Sequence, residues 1–153
     1  MQEISEHTIG AINVLAKLHH SYEKPEKHSL VEVDLPPVRD NDVLVKVKAC
    51  GVCGTDLHIH EGEFLARFPL IPGHETVGVV AAMGKNVKGF KKGDRVCADN
   101  SELCGECFYC RRGEPLMCEH FEAHGVTLSG GFAEYCAYPG MIKSRQSSIL
   151  HTP

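Results

Sequence analysis

Four cysteines in the order Cys104-x2-Cys107-x2-Cys110-x7-Cys118 constrain this chain more than any other stretch. Thiolates at that spacing can wrap one tetrahedral ion, and a shell made only of sulfur leaves no position open for chemistry. They lie in a loop rich in glycine and charge, so a metal-stapled lobe over residues 99–120 is expected. An iron–sulfur cluster is the rival, because the first three cysteines are spaced as in a bacterial ferredoxin run. That run places its fourth cysteine after three residues and follows it with proline. Here Cys118 comes after seven and Glu119 follows, which favours zinc. A structural zinc is worth about 10–16 kcal/mol in small peptides, so losing it should melt the lobe.

Upstream, Cys53-Gly-Thr-Asp-Leu-His58 and Gly73-His74-Glu75-Thr-Val-Gly78 offer a thiolate, an imidazole and a carboxylate among closely set glycines. These donors can together bind zinc, and a catalytic site keeps one position for water or substrate. Cys53, His74 and Glu75 are the candidate ligands. Cys50, Cys97 and Cys136 sit in or beside expected strands and read as structural thiols. Cys50 and Cys53 also form a C-x-x-C, but no thioredoxin-like βαβ pattern surrounds them.

At 153 residues the chain is read as one domain. Ser29–Val33 and Asp42–Lys48 alternate with period two; in the second, Val43, Val45 and Val47 point one way and Lys46 and Lys48 the other. Residues 76–83, 94–97 and 132–138 read as further strands, and 12–18 as a blurred one. Thr55–Ile59 suits a short helix capped by Thr55 or Asp56. Short strands punctuated by glycine and proline predict a mainly β fold, a small barrel or sandwich. Residues 1–28 are expected to be only partly ordered, 29–139 to form the domain, and 140–153 to be an irregular tail.

The net charge of −4 argues against a nucleic-acid surface. The basic run Lys85–Lys92 reads as a solvated hairpin face. The longest apolar run, Val77–Met83, is far shorter than the roughly 20 residues a membrane span needs. Eight cysteines with no leader-like segment at the N-terminus point to a reducing, cytoplasmic setting.

Cys53-Gly-Thr-Asp-x-His58, Gly73-His74-Glu75-x-x-Gly78 with Gly84 and Val87 behind it, and the four-cysteine loop together resemble the zinc-dependent medium-chain alcohol dehydrogenases. The likeness runs from about Val31 to Tyr138. Asp99–Cys107 and Phe121–Val126 are most similar to its polyol branch, fungal D-arabinitol dehydrogenases in particular. The resemblance implies a GroES-like β-barrel with two zinc ions per chain, and a small alcohol or polyol as substrate. Cys53 and His74 match catalytic zinc ligands, and Glu75 a ligand or its near neighbour. Asp56 matches a carboxylate that orients the ligand histidine. Thr55 and His58 match the hydroxyl and imidazole through which the alcohol proton leaves, while hydride passes to NAD(P). His60, His120 and His124 match nothing and read as surface or packing residues.

The family binds its nucleotide on a Rossmann half marked by G-x-G-x-x-G, which does not occur here. The sequence is therefore expected to be truncated before that domain, with any partner a second copy or a full-length subunit. A non-catalytic zinc-binding fragment or interaction module is the alternative.

Overall fold

A computed structural model describes residues 17–140 and 149–151. In chain order the elements are β1 (Lys17–Lys24), β2 (Lys27–Val33), β3 (Asp42–Gly51), α1 (Gly54–Glu61), β4 (Glu75–Met83), β5 (Arg95–Ala98), β6 (Ser101–Glu102), α2 (Phe108–Arg112), a 3-10 turn at Pro115–Met117, β7 (Glu122–Ala123), β8 (Tyr135–Pro139) and β9 (Ile149–His151). The main sheet runs β8-β3-β4-β5-β9, with every neighbouring pair antiparallel. Two ribbons flank it, β1 with β2 and β6 with β7.

The alternation in β3 builds the core. Val43 and Val45 pack with Val80 of β4, Val96 of β5, and Cys136 and Tyr138 of β8, none more than 4 % exposed. Each fully buried aliphatic or aromatic side chain contributes about 1.5–3 kcal/mol, so this cluster is the sheet's main stabiliser. Lys46 and Lys48 face solvent, as their positions in the alternation require. Leu44, on the same face as the lysines by period, is buried too. A register shift against β4 falls between Leu44 and Val45, and this end of β3 is covered on both faces. The lysines of the 85–92 run are exposed while Val87 and Phe90 turn into the core, so the run is a solvated face on an apolar footing.

A second cluster of Ile59, Leu70, Ala123 and Val126, with Tyr22, Ala66 and Phe68 against it, seats α1. Tyr22 and Leu70 exchange both backbone hydrogen bonds at 2.8 Å, tying β1 to the segment that leads into His74.

Three boundaries differ from the sequence reading. The ordered hairpin begins at Lys17, inside the segment read as partly ordered, because β1 and β2 satisfy each other along their length. The last long strand begins at Tyr135, not Phe132, because Phe132 N–H is given instead to the Pro72 carbonyl at 2.9 Å. In the supposed tail, Ile149–His151 is a strand pairing with β5 and occupying its outer edge. The readings for residues 1–16 and 141–148 lie outside the described residues.

Candidate metal centres

Helix α1 is capped by Cys53, not by Thr55 or Asp56. Its backbone is extended at the cap (φ −126°, ψ 179°). Its sulfur accepts from Thr55 N at 3.3 Å, and Asp56 Oδ2 accepts from Cys53 N at 2.9 Å, completing a capping box. The sulfur is thereby held on the helix N-terminus. Its counterpart comes from the residue just before β4: His74 Nε2 lies 3.0 Å from Cys53 Sγ. Tetrahedral zinc with bonds near 2.3 and 2.1 Å sets such a pair roughly 3.5 Å apart, so half an ångström of opening admits the ion.

Asp56 is 7 % exposed and stands behind the histidine ring, its Oδ1 3.6 Å from His74 Nδ1. Neither atom has a hydrogen-bond partner, although both are buried. Such orphans are costly, and a slight approach lets Nδ1–H donate to the carboxylate. That leaves Nε2 as the lone-pair nitrogen facing Cys53, the arrangement a ligating histidine needs. The exposed Glu75 places a carboxylate oxygen within 4.8 Å of both Cys53 Sγ and His74. It leans over Gly51, where any side chain would collide with its carboxylate. The donor set therefore fits zinc.

Thr55 is half-buried on the first turn of α1. His58 lies one turn on, its side chain 57 % exposed and its Nδ1 3.1 Å from Glu63 Oε2. With Glu61 these two form a third, wholly exposed grouping of ligand types. His120 is exposed, and His60 bonds Tyr22 Oη through Nδ1 at 3.1 Å.

The four-cysteine loop also closes on itself. All four Sγ atoms lie within 4.8 Å of one another, and Cys104 and Cys118 are 3.6 Å apart. Zinc–sulfur bonds near 2.3 Å imply about 3.8 Å between tetrahedral ligands. Backbone N–H groups point at three of the sulfurs: Cys107 N at Cys104, Cys110 N at Cys107, and both Cys104 N and His120 N at Cys118. The N–H groups of Cys110 and Glu119 lower the Cys107 thiol to about 6. Burial, then its Cys107 neighbour, pushes Cys110 up to about 12. Of the other cysteines, Cys136 is buried, while Cys50 and Cys97 are half-buried; all are free thiols. Burial raises the Cys50 thiol, which suits a structural residue better than a reactive one.

Directly before His74 runs a seam of closely packed glycines. Gly73, directly before His74, has φ +92° and sits against the Phe132 backbone and ring. Ile71, Pro72 and Gly73 give their carbonyls to Gly130 N, Phe132 N and Gly131 N at 2.7, 2.9 and 2.7 Å. A methyl on Gly125 would come within 2.5 Å of the Gly73 carbonyl oxygen, and one on Gly130 would overlap it outright.

His124 locks this seam from inside. It is 5 % exposed, with Nδ1 3.0 Å from the Ser129 carbonyl and its ring 4.6 Å from that of Tyr138. Nε2 lies 3.6 Å from Glu102 Oε2. Burial alone would depress its pKa, but Cys136, Glu102 and the Ser129 carbonyl outweigh that and raise it to about 10. A group that keeps its proton in the native state and loses it near 6.5 when unfolded stabilises fully below 6.5. That contribution disappears as pH rises through about 10. Across this window the unfolding free energy of the wild type should fall by up to about 1.4 kcal/mol per pH unit more than that of H124N. Parallel urea titrations between these limits check it, and identical slopes would refute it.

The comparisons with known proteins agree with this geometry. The alcohol dehydrogenase GroES-like domain family matches residues 39–143. D-arabinitol dehydrogenase 1 of Uromyces fabae is 59 % identical over 117 residues, 76 % of this chain and 34 % of that protein. L-threonine 3-dehydrogenase of Vibrio parahaemolyticus is 41 % identical over 133 residues, 84 % of this chain and 37 % of its own. Among solved structures, a candidate zinc-binding dehydrogenase of Sinorhizobium meliloti 1021 bound to NADP superposes with a TM-score of 0.82 at 35 % identity, over 92 % of this chain and 39 % of that one. A cobalt- and zinc-bound alcohol dehydrogenase of Pyrobaculum aerophilum gives 0.74 at 35 % identity, over 80 % and 39 %. The chain spans about a third of the length of the curated relatives it matches. Among the described residues no helix is long and apolar enough to cross a membrane. With two metal-competent clusters on a mainly β scaffold and a domain match over most of its length, the chain belongs to the alcohol dehydrogenase GroES-like domain family.

Proposed function

We propose that this chain is the zinc-binding catalytic portion of an NAD(P)-linked alcohol or polyol dehydrogenase whose substrate is a small polyol of the D-arabinitol type. The observation that carries the reading is the 3.0 Å approach of Cys53 Sγ to His74 Nε2, with Asp56 set behind the ring. Likeness to D-arabinitol dehydrogenase 1 supports the substrate class, and the NADP-bound relative supports the nicotinamide. Cys53, His74 and Glu75 hold the catalytic ion, and the four cysteines hold a second, structural one.

Zinc at the first position would supply Lewis-acid polarisation of an alcohol oxygen. Asp56 fixes the His74 tautomer and ring angle. Thr55 receives the hydroxyl proton and hands it to His58, whose exposed ring, steadied by Glu63, releases it to water. The nucleotide is held by residues other than these 153, since no G-x-G-x-x-G occurs among them. That same lack supports a second reading, a zinc-binding module without catalysis.

Metal analysis of the purified chain separates the two. The expected content is two zinc ions in the wild type and one in His74→Ala. One zinc in the wild type, unchanged by His74→Ala, would leave only the four-cysteine lobe and favour the non-catalytic reading.

A further inference from the structure

We infer that His124 is a positioning residue for His74, acting through the glycine seam that precedes it; this rests on the proposal that Cys53 and His74 share an ion. His74 follows Gly73, which has no side chain, so between the buried Pro72 and His74 the chain is placed only by its backbone contacts. Its place is set by three hydrogen bonds from residues 130–132 and by contact of Gly73 with Gly125 and Gly130. Those contacting residues lie in one loop, and His124 spans that loop. Its Nδ1–H donates to the Ser129 carbonyl, the group immediately before Gly130, while its own N–H is anchored on the Asn100 carbonyl at 2.8 Å.

The ring packs against Tyr138 from the main sheet, and its Nε2 faces Glu102 of β6 at 3.6 Å without a hydrogen bond. Retention of the ring proton agrees with both nitrogens facing acceptors. Without the Nδ1 donor, the Ser129 carbonyl keeps only the weak Cys136 thiol contact at 3.6 Å. The turn over Ala123–Leu128 keeps its own backbone bonds, but Ser129–Gly130, which carries the bonds to the Gly73 segment, loses its tie to that turn and can shift. Half an ångström there matters, because the Cys53–His74 pair must open by about that amount and no more to admit an ion.

Cobalt(II) titration of the full 153-residue chain in competition with a chelator tests this. The four-thiolate and single-thiolate sites differ in the intensity of their sulfur-to-cobalt absorption, so the two affinities are read separately. In His124→Leu, which keeps bulk but cannot donate, the single-thiolate site should weaken by about tenfold or more, the range for loss of an orienting partner. The four-thiolate site should be unchanged. His124→Asn, whose side-chain amide can reach the Ser129 carbonyl in place of Nδ1, should recover most of the loss.

Equal affinities in wild type and His124→Leu would overturn the role. So would equal weakening of both sites, which marks a general loss of fold, or failure of His124→Asn to rescue. A wild type that takes up a single cobalt overturns the shared-ion reading itself, and the positioning role with it.

Discussion

Stripping the ion from the four-cysteine lobe of the metal-loaded chain is expected to unfold residues 103–120 while the main sheet persists. The lobe's buried cluster consists of Leu103, Cys107 and Cys118, with Cys104, Tyr109 and Cys110 packed against it. Four of those six are the proposed ligands themselves. Phe108, Leu116, Met117 and Phe121 are 53, 77, 61 and 37 % exposed and contribute little burial. Helix α2 has five residues, too few to stand alone. An ion held by the four cysteines would therefore be the lobe's core, and a binding free energy of about 10–16 kcal/mol would exceed anything the side chains supply. Amide exchange before and after chelation reads the effect. Protection should vanish between Cys104 and Cys118 yet survive at Val43–Val45 and Val80. Cys107→Ser should do the same without a chelator, and lobe amides that stay protected in either case would refute the account.

Gly130→Ala should be nearly as damaging, for a steric reason. The added methyl would overlap the Gly73 carbonyl oxygen and lie 2.5 Å from Gly125 Cα, both backbone atoms that cannot rotate away. A loss of more than about 3 kcal/mol is expected, a large part of a typical domain's 5–15 kcal/mol. Gly54→Ala is the control: nothing lies within 4 Å of its new methyl, and the change should stay within about 0.5 kcal/mol. Denaturant midpoints of the two variants decide the matter. Similar midpoints would mean that the seam yields and does not hold His74.

The motifs made the candidate ligands legible because metal binding demands particular atoms, and residue type is what a sequence states directly. Cys53, His74 and Glu75 converge as their identities suggest, and so do the four lobe cysteines. Period-two alternation made β3 legible for the same reason. Cys53 as an N-cap was not, because sulfur is an unusual acceptor at that position and Thr55 and Asp56 are the commoner choice. His124 was also opaque: its importance lies in a carbonyl five residues away and a glycine some fifty residues upstream, neither with any local signature. β9 escaped notice because an edge strand of three residues is defined by its partner β5, not by its own periodicity.

The sheet order carries a kinetic consequence. β3 lies between β4, its partner a short excursion away, and β8, about ninety residues downstream. Sealing so long a loop is entropically costly and slow, so β8 joins late, after the β3–β4 pair has formed. An ion gripping the lobe shortens that loop by only some fourteen residues, which with logarithmic scaling relieves roughly 0.1–0.2 kcal/mol. The metal thus does little to hurry the chain shut; its influence lies in how long the closed form endures.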